Sequence, residues 1–186
     1  LDDPSQVEIL SVEMGPRGYL DTTAILFDED FSTWPSNYEL ILPAMTIQNN
    51  WRLFGVGMAA GSYSILNDGD GQYFRFDRAN TDSDAGFDND NNKTPITEET
   101  DIIFRVWARV VTEGAKMTLS IPEFGPGGWL GINNGGVFEL TDTFQLYETR
   151  ARTSPDTTQF HIAIRAGGVC TFDIEKFQVY ISAPVD

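Results

Sequence analysis

The chain has 186 residues, enough for one domain and an arm, and its 12 Lys plus Arg against 28 Asp plus Glu give a formal charge of −16. That balance argues against nucleic acid and anionic lipid as partners, since both would be repelled at most approach angles. A single cysteine (Cys170) excludes an internal disulfide and a thiolate zinc cage, a single histidine (His161) excludes two-histidine metal centres, and no apolar run is long enough to insert in a membrane as a helix.

The elements read in chain order as strands. Segments 6–13 and 19–27 are two strands split by the breaker Gly15-Pro16-Arg17-Gly18. Segments 38–45 and 50–57 follow, the first demoted to an edge strand by Pro43. Asp68-Gly69-Asp70-Gly71 is a hairpin turn leading into a strand over 72–77. A polar acidic loop is expected over 81–94. The strongest alternation is in 101–112, where Ile102, Phe104, Val106, Ala108 and Val110 share one face and Ile103, Arg105, Trp107 and Arg109 share the other. A strand over 115–121 precedes a glycine-rich loop at 123–136 that carries Trp129. Strands at 144–152, 159–166 and 171–182 complete the chain. Many short strands between turn clusters predict an all-β fold, an antiparallel β-sandwich.

Four short stretches carry a family resemblance. Phe27-Asp28-Glu29-Asp30-Phe31 is similar to an opening Asn-Gly-Asp-Phe-Glu, and residues 101–109, DIIFRVWAR, are similar to a Thr-Tyr-x-Phe-Ser-Ala-Trp-Val-Arg strand, with Trp107 on its tryptophan. Residues 137–152 match a stretch of threonine, aromatic and tyrosine, and 167–179 match a closing Gly-x-Phe-Tyr-Ile-Asp-Asp-Val-x-Val. Together these resemble carbohydrate-binding modules of the family 4, 9, 16 and 22 type, galactose-binding-like jelly rolls. The resemblance implies a jelly-roll sandwich over 25–186 that binds polysaccharide or another glycan without catalysis, preceded by an arm or extra strands at 1–24. In such modules the opening glutamate and first closing aspartate often supply a structural calcium; here those places hold Ser32 and Glu175.

The outward rows supply candidate ligand contacts. Alternation groups Tyr73, Arg75 and Asp77, then Arg105, Trp107 and Arg109, then Gln145 and Tyr147, then His161 and Arg165. Sugars present flat C–H faces rimmed by hydroxyls, which suit aromatic platforms beside planar hydrogen-bonding groups. Arginine forks favour uronate or sulfate and so point to an acidic glycan. The bland reading pairs those arginines with Asp77, Glu148 and other local acids. Trp129 is a further anchor at the sandwich rim, whereas Trp51, flanked by Leu53 and Phe54, belongs to the core.

Asp28, Asp30 and Glu175 offer hard oxygen ligands for a structural calcium. Asp82, Asp84, Asp88 and Asp90 form a second acidic group, and Asp88-Asn89-Asp90-Asn91-Asn92 followed by Glu99 mimics EF-hand spacing, but Lys93 stands where a glycine is required and Pro95 interrupts it. No nucleophile elbow, phosphate loop or metalloprotease helix is present, and Cys170 reads as an inert buried thiol, so no enzyme is expected. Nine of the cations are Arg and only Lys93, Lys116 and Lys176 are Lys; an acid-rich, Lys-poor surface suits a salty extracellular or particle-surface setting. A start at Leu1 without an apolar leader fits a processed secreted chain or an assembly subunit. The rival reading is therefore a structural subunit of a virus particle or filament, whose residues 1–24 reach homo-oligomeric or other neighbours by strand addition.

Overall fold

A computed structural model describes residues 23–34, 39–41, 51–55, 61–69, 71–78, 85–97 and 99–182. Fourteen strands lie within them: β1 Thr23–Glu29, β2 Glu39–Ile41, β3 Arg52–Gly55, β4 Gly61–Asn67, β5 Gln72–Arg78, β6 Ala85–Asp88, β7 Thr94–Pro95, β8 Asp101–Val110, β9 Lys116–Gly125, β10 Gly128–Glu139, β11 Gln145–Arg152, β12 Gln159–Phe160, β13 Ala163–Gly167 and β14 Cys170–Ser182. Sheet A runs β11-β8-β14-β5-β4-β2, with β1 beside the second half of β14. Sheet B runs β3-β6-β13-β9-β12-β7, with β10 on the free side of β9. Every pairing is antiparallel. The chain is an all-β sandwich, as the alternation predicts.

The two sheets meet through the rows that alternation assigns to the interior. Ile102, Phe104, Val106 and Ala108 of β8 are buried, as are Met117, Leu119 and Ile121 of β9. Phe177 sits at the centre, with the rings of Phe31, Trp51, Phe87 and Phe104 at 5.9, 4.9, 6.1 and 6.4 Å. Trp51 is 3% exposed, which places it in the core as expected. Burying each such side chain is worth about 1.5–3 kcal/mol against leaving it in water. Burial also pushes the Cys170 thiol above its ordinary pKa, which keeps it unreactive.

The strand at 159–166 is broken into β12 and β13 around His161 and Ile162. The glycine-rich segment 123–136 is no loop: it is the end of β9 and most of β10, closed by a tight turn at Pro126 and Gly127. Its glycines accommodate two register shifts, at Trp129/Gly131 and Asn134/Gly136, with Gly131 at φ 154° and Gly136 at φ 151°. The acidic loop expected over 81–94 is also partly wrong, because β6 at 85–88 is buried throughout between β3 and β13 of sheet B. Asp82 and Asp84 lie outside the described residues, as do the segments 6–13 and 19–22 and the arm up to Thr22. β4 and β5 pair up to Asn67 and Gln72, on either side of the expected turn, and among the described residues β2 lies at the edge of its sheet.

Candidate functional site

Eight of the nine candidate ligand residues divide between two outer faces. Tyr73, Arg75, Arg105, Trp107 and Arg109 lie on the outside of sheet A, whereas Trp129, His161 and Arg165 lie on sheet B. Tyr147 belongs to neither group. It pairs with Val106, so it shares the inward phase; its ring packs 5.5 Å from Phe138 and its hydroxyl accepts from the Thr141 N–H. The same register turns Leu146 and Glu148 outward instead of Gln145 and Tyr147.

On sheet A the arginines meet protein carboxylates. Asp173 of β14, 0% exposed, accepts from Arg75 Nε at 2.7 Å and Nη2 at 3.0 Å, and from Arg109 Nε at 2.9 Å. Arg105 Nε donates to Glu148 at 2.7 Å. Arg109 also stacks over Phe144 and Tyr73, 4.4 and 5.1 Å from their ring centres. The local-acid reading of these forks therefore holds, with Asp173 rather than Asp77 as the main partner. Asp77 accepts from the Thr171 hydroxyl instead.

On sheet B a groove of about 410 Å³ crosses the outer face. β3 and β13 bring Phe54 and Arg165 opposite the same residue of β6, Gly86, so that the guanidinium lies 5.5 Å from the Phe54 ring. Gly86 has to be glycine, because a Cβ there would stand 2.1 Å from the Ile164 carbonyl oxygen. Arg52 Nε and Nη2 clasp Asp88 at 2.6 and 3.1 Å, and Nη2 reaches Asp90 at 2.8 Å. Lys93 holds Asp90 at 2.7 Å and lies 4.7 Å over the Phe124 ring. At the mouth Trp129, 56% exposed, stands edge-on to Phe124 with 5.3 Å between ring centres.

His161 forms part of the groove floor and is 4% exposed. Burial pushes its imidazole down to about 4, against the pull of Asp88 and Asp90. Its Nδ1 lies 3.3 Å from Asp90 Oδ1 yet off the line of a hydrogen bond, and it has no partner. Burial also opposes ionisation at Asp90, but the Lys93 hydrogen bond and the charge of Arg52 outweigh it and hold that carboxyl below its ordinary range. Sequence reasoning missed Phe54, Phe124 and the Arg52–Asp88 pair. Alternation within 52–54 was the available signal, since it sets Arg52 and Phe54 opposite the buried Leu53.

Among the described residues no group of three or more His, Cys, Asp or Glu side chains is placed to hold a metal ion, and two of the expected calcium donors, Asp28 and Asp30, have partners within the protein. Asp28 Oδ1 meets Lys176 Nζ at 2.9 Å and Gln178 Nε2 at 3.2 Å, Asp30 Oδ1 accepts from the Ser32 N–H, and Asp30 and Glu175 both line a second groove. The EF-like Asp88 and Asp90 are tied to Arg52 and Lys93.

No protein-family model and no curated protein matches the sequence. Solved structures do match. The CBM22-1 xylan-binding domain of Paenibacillus barcinonensis Xyn10C aligns with a TM-score of 0.58 at 9% identity, over 87% of this chain and 97% of that one. The CBM22-1–GH10 modules of Clostridium thermocellum endo-1,4-beta-D-xylanase 10B, complexed with xylohexaose, align with a TM-score of 0.60 at 7% identity, over 83% and 28%. The enzymatically active domain of bacteriophage CBA120 tailspike protein 4 aligns with a TM-score of 0.51 at 15% identity, over 70% of this chain; the chain spans about a fifth of that protein's length. At these identities the likeness concerns the fold: the chain has the jelly-roll sandwich of carbohydrate-binding modules.

Proposed function

We propose that this chain is a non-catalytic carbohydrate-binding module that holds a glycan across the outer face of sheet B. The observation that carries the reading is Trp129, an indole 56% exposed at the mouth of a groove lined by further rings, Phe54 and Phe124, and by the polar side chains of Asp90 and Arg165. A sugar ring laid on Trp129 or Phe54 covers exposed aromatic surface, and its hydroxyls meet Asp90 and Arg165. Covering an indole is worth on the order of 2 kcal/mol. The use of this fold by modules described as xylan-binding, or solved with xylohexaose, supports the same reading.

A neutral glycan suits the groove better than an acidic one. Arg52 and Lys93 are engaged by Asp88 and Asp90, as Arg75, Arg105 and Arg109 are on the other sheet by Asp173 and Glu148. The net charge of −16 repels a polyanion at long range. An acid-rich, Lys-poor surface supports an extracellular or particle-borne setting. The likeness to a phage tailspike favours a second version, in which the module rides on a virus particle and meets glycans of a host.

Affinity electrophoresis in gels containing xylan, neutral β-glucan or polygalacturonate tests the proposal. Retardation by a neutral polysaccharide is expected, weakened about thirtyfold in Trp129→Ala. No retardation in any gel, or retardation unchanged by the substitution, overturns it.

A further inference from the structure

Sheet A carries a groove of its own, about 600 Å³, on the opposite side of the sandwich from Trp129. The half-buried Trp107 lies in it, flanked across the strands by Leu146 of β11 and Lys176 of β14. Tyr73 and Phe144, with Arg109 stacked over both, form one wall. Asp30 and Ser32 form part of the other.

Two features show that this groove is built. The first is a bulge in the middle of β14: Ile174 pairs with Ala108 and Lys176 with Trp107, leaving Glu175 as an extra residue. The flanking residues keep a regular alternation without it, since Asp173 and Lys176 face outward and Ile174 and Phe177 are buried. The bulge falls where the neighbour of β14 changes, from β5 up to Ile174 to β1 from Phe177 onward. Its effect is local: it sets a carboxylate and an ammonium side by side beside the indole. The second feature is the rim. Phe31 holds a left-handed backbone (φ 60°), costly for a non-glycine residue, and Gln72 Nε2 donates to the carbonyls of Phe31 and Ser32 at 3.0 Å and of Trp34 at 3.2 Å. The wall that carries Asp30 is thereby fixed in place.

The geometry points to a second saccharide site here, for a neutral polyhydroxyl ligand stacked on Trp107 with its hydroxyls shared between Glu175 and Lys176. The charges select that class. An anion meets the carboxylates of Asp30, Asp68 and Glu175, and a cation meets Arg109 and Lys176. A neutral polyol donates to the carboxylates and accepts from the cations, and its apolar face covers the indole. The site is independent of the Trp129 groove, so the chain engages glycan on both faces.

Isothermal titration with xylohexaose and with cellohexaose tests this, using the full chain and the variants Trp107→Ala, Glu175→Gln and Trp129→Ala, each checked for an unchanged thermal melt. Two sites per chain are expected. Trp107→Ala removes one of them, Glu175→Gln weakens that same one about tenfold, and Trp129→Ala leaves it in place. Glu175→Gln keeps the test sharp if Trp107→Ala fails to fold, because Glu175 is exposed on the rim. A single site that vanishes in Trp129→Ala and ignores Glu175→Gln overturns the second site while the first stands. A single site that responds only to Trp107 and Glu175 does the reverse, and heat with neither sugar overturns both.

Discussion

Asp173 is a fully buried carboxylate held by two guanidiniums that themselves reach the surface. Removing its charge while keeping its shape leaves Arg75 and Arg109 without their shared partner in a desolvated place. Asp173→Asn is therefore expected to lower stability by about 3 kcal/mol, read from urea denaturation. His161 gives a pH signature. Its folded pKa of about 4 lies below the ordinary 6.5, so the unfolded chain binds the extra proton as pH falls between those values. Stability from this group is complete above pH 6.5. It is lost as pH falls toward 4, by about 3 kcal/mol in all. His161→Gln should flatten that part of the stability profile; a profile identical to the parent's would contradict the burial argument.

At the level of strands, Phe177 and Glu175 make opposite predictions two positions apart. Phe177→Ala empties the centre of the aromatic cluster and should cost about 3–5 kcal/mol. Deleting Glu175 removes only the bulge, because Ile174 and Lys176 already face consecutive residues of β8. That deletion should keep a cooperative melt within about 1 kcal/mol of the parent. A collapse of the melt would show that the bulge serves the sheet. The strands legible in the sequence were those with a clean period of two, such as β8 and the first half of β9. β10 was hidden because glycines at its register shifts imitate a loop, and β6 because AGFD has no alternation when buried on both sides.

For the whole molecule, the sandwich was legible and the grouping of its outward residues was not. Alternation says which side of a strand a residue takes, but not which sheet the strand joins; Trp107 and Arg165 share a phase and lie on opposite faces. Tyr147 shows the complementary limit, since its phase depends on pairing with Val106 across β8. Two-sided engagement of glycan also predicts that the full chain cross-links soluble polysaccharide as a 20.7 kDa monomer in light scattering. A larger particle without sugar would favour the assembly reading instead. The central claim rests on the Trp129 groove, and the indole N–H signals of the four tryptophans report on it directly. On titration with xylohexaose or cellohexaose, the Trp129 signal is expected to shift and saturate while those of the buried Trp34 and Trp51 stay in place. A Trp129 signal that does not move at millimolar sugar would contradict the account.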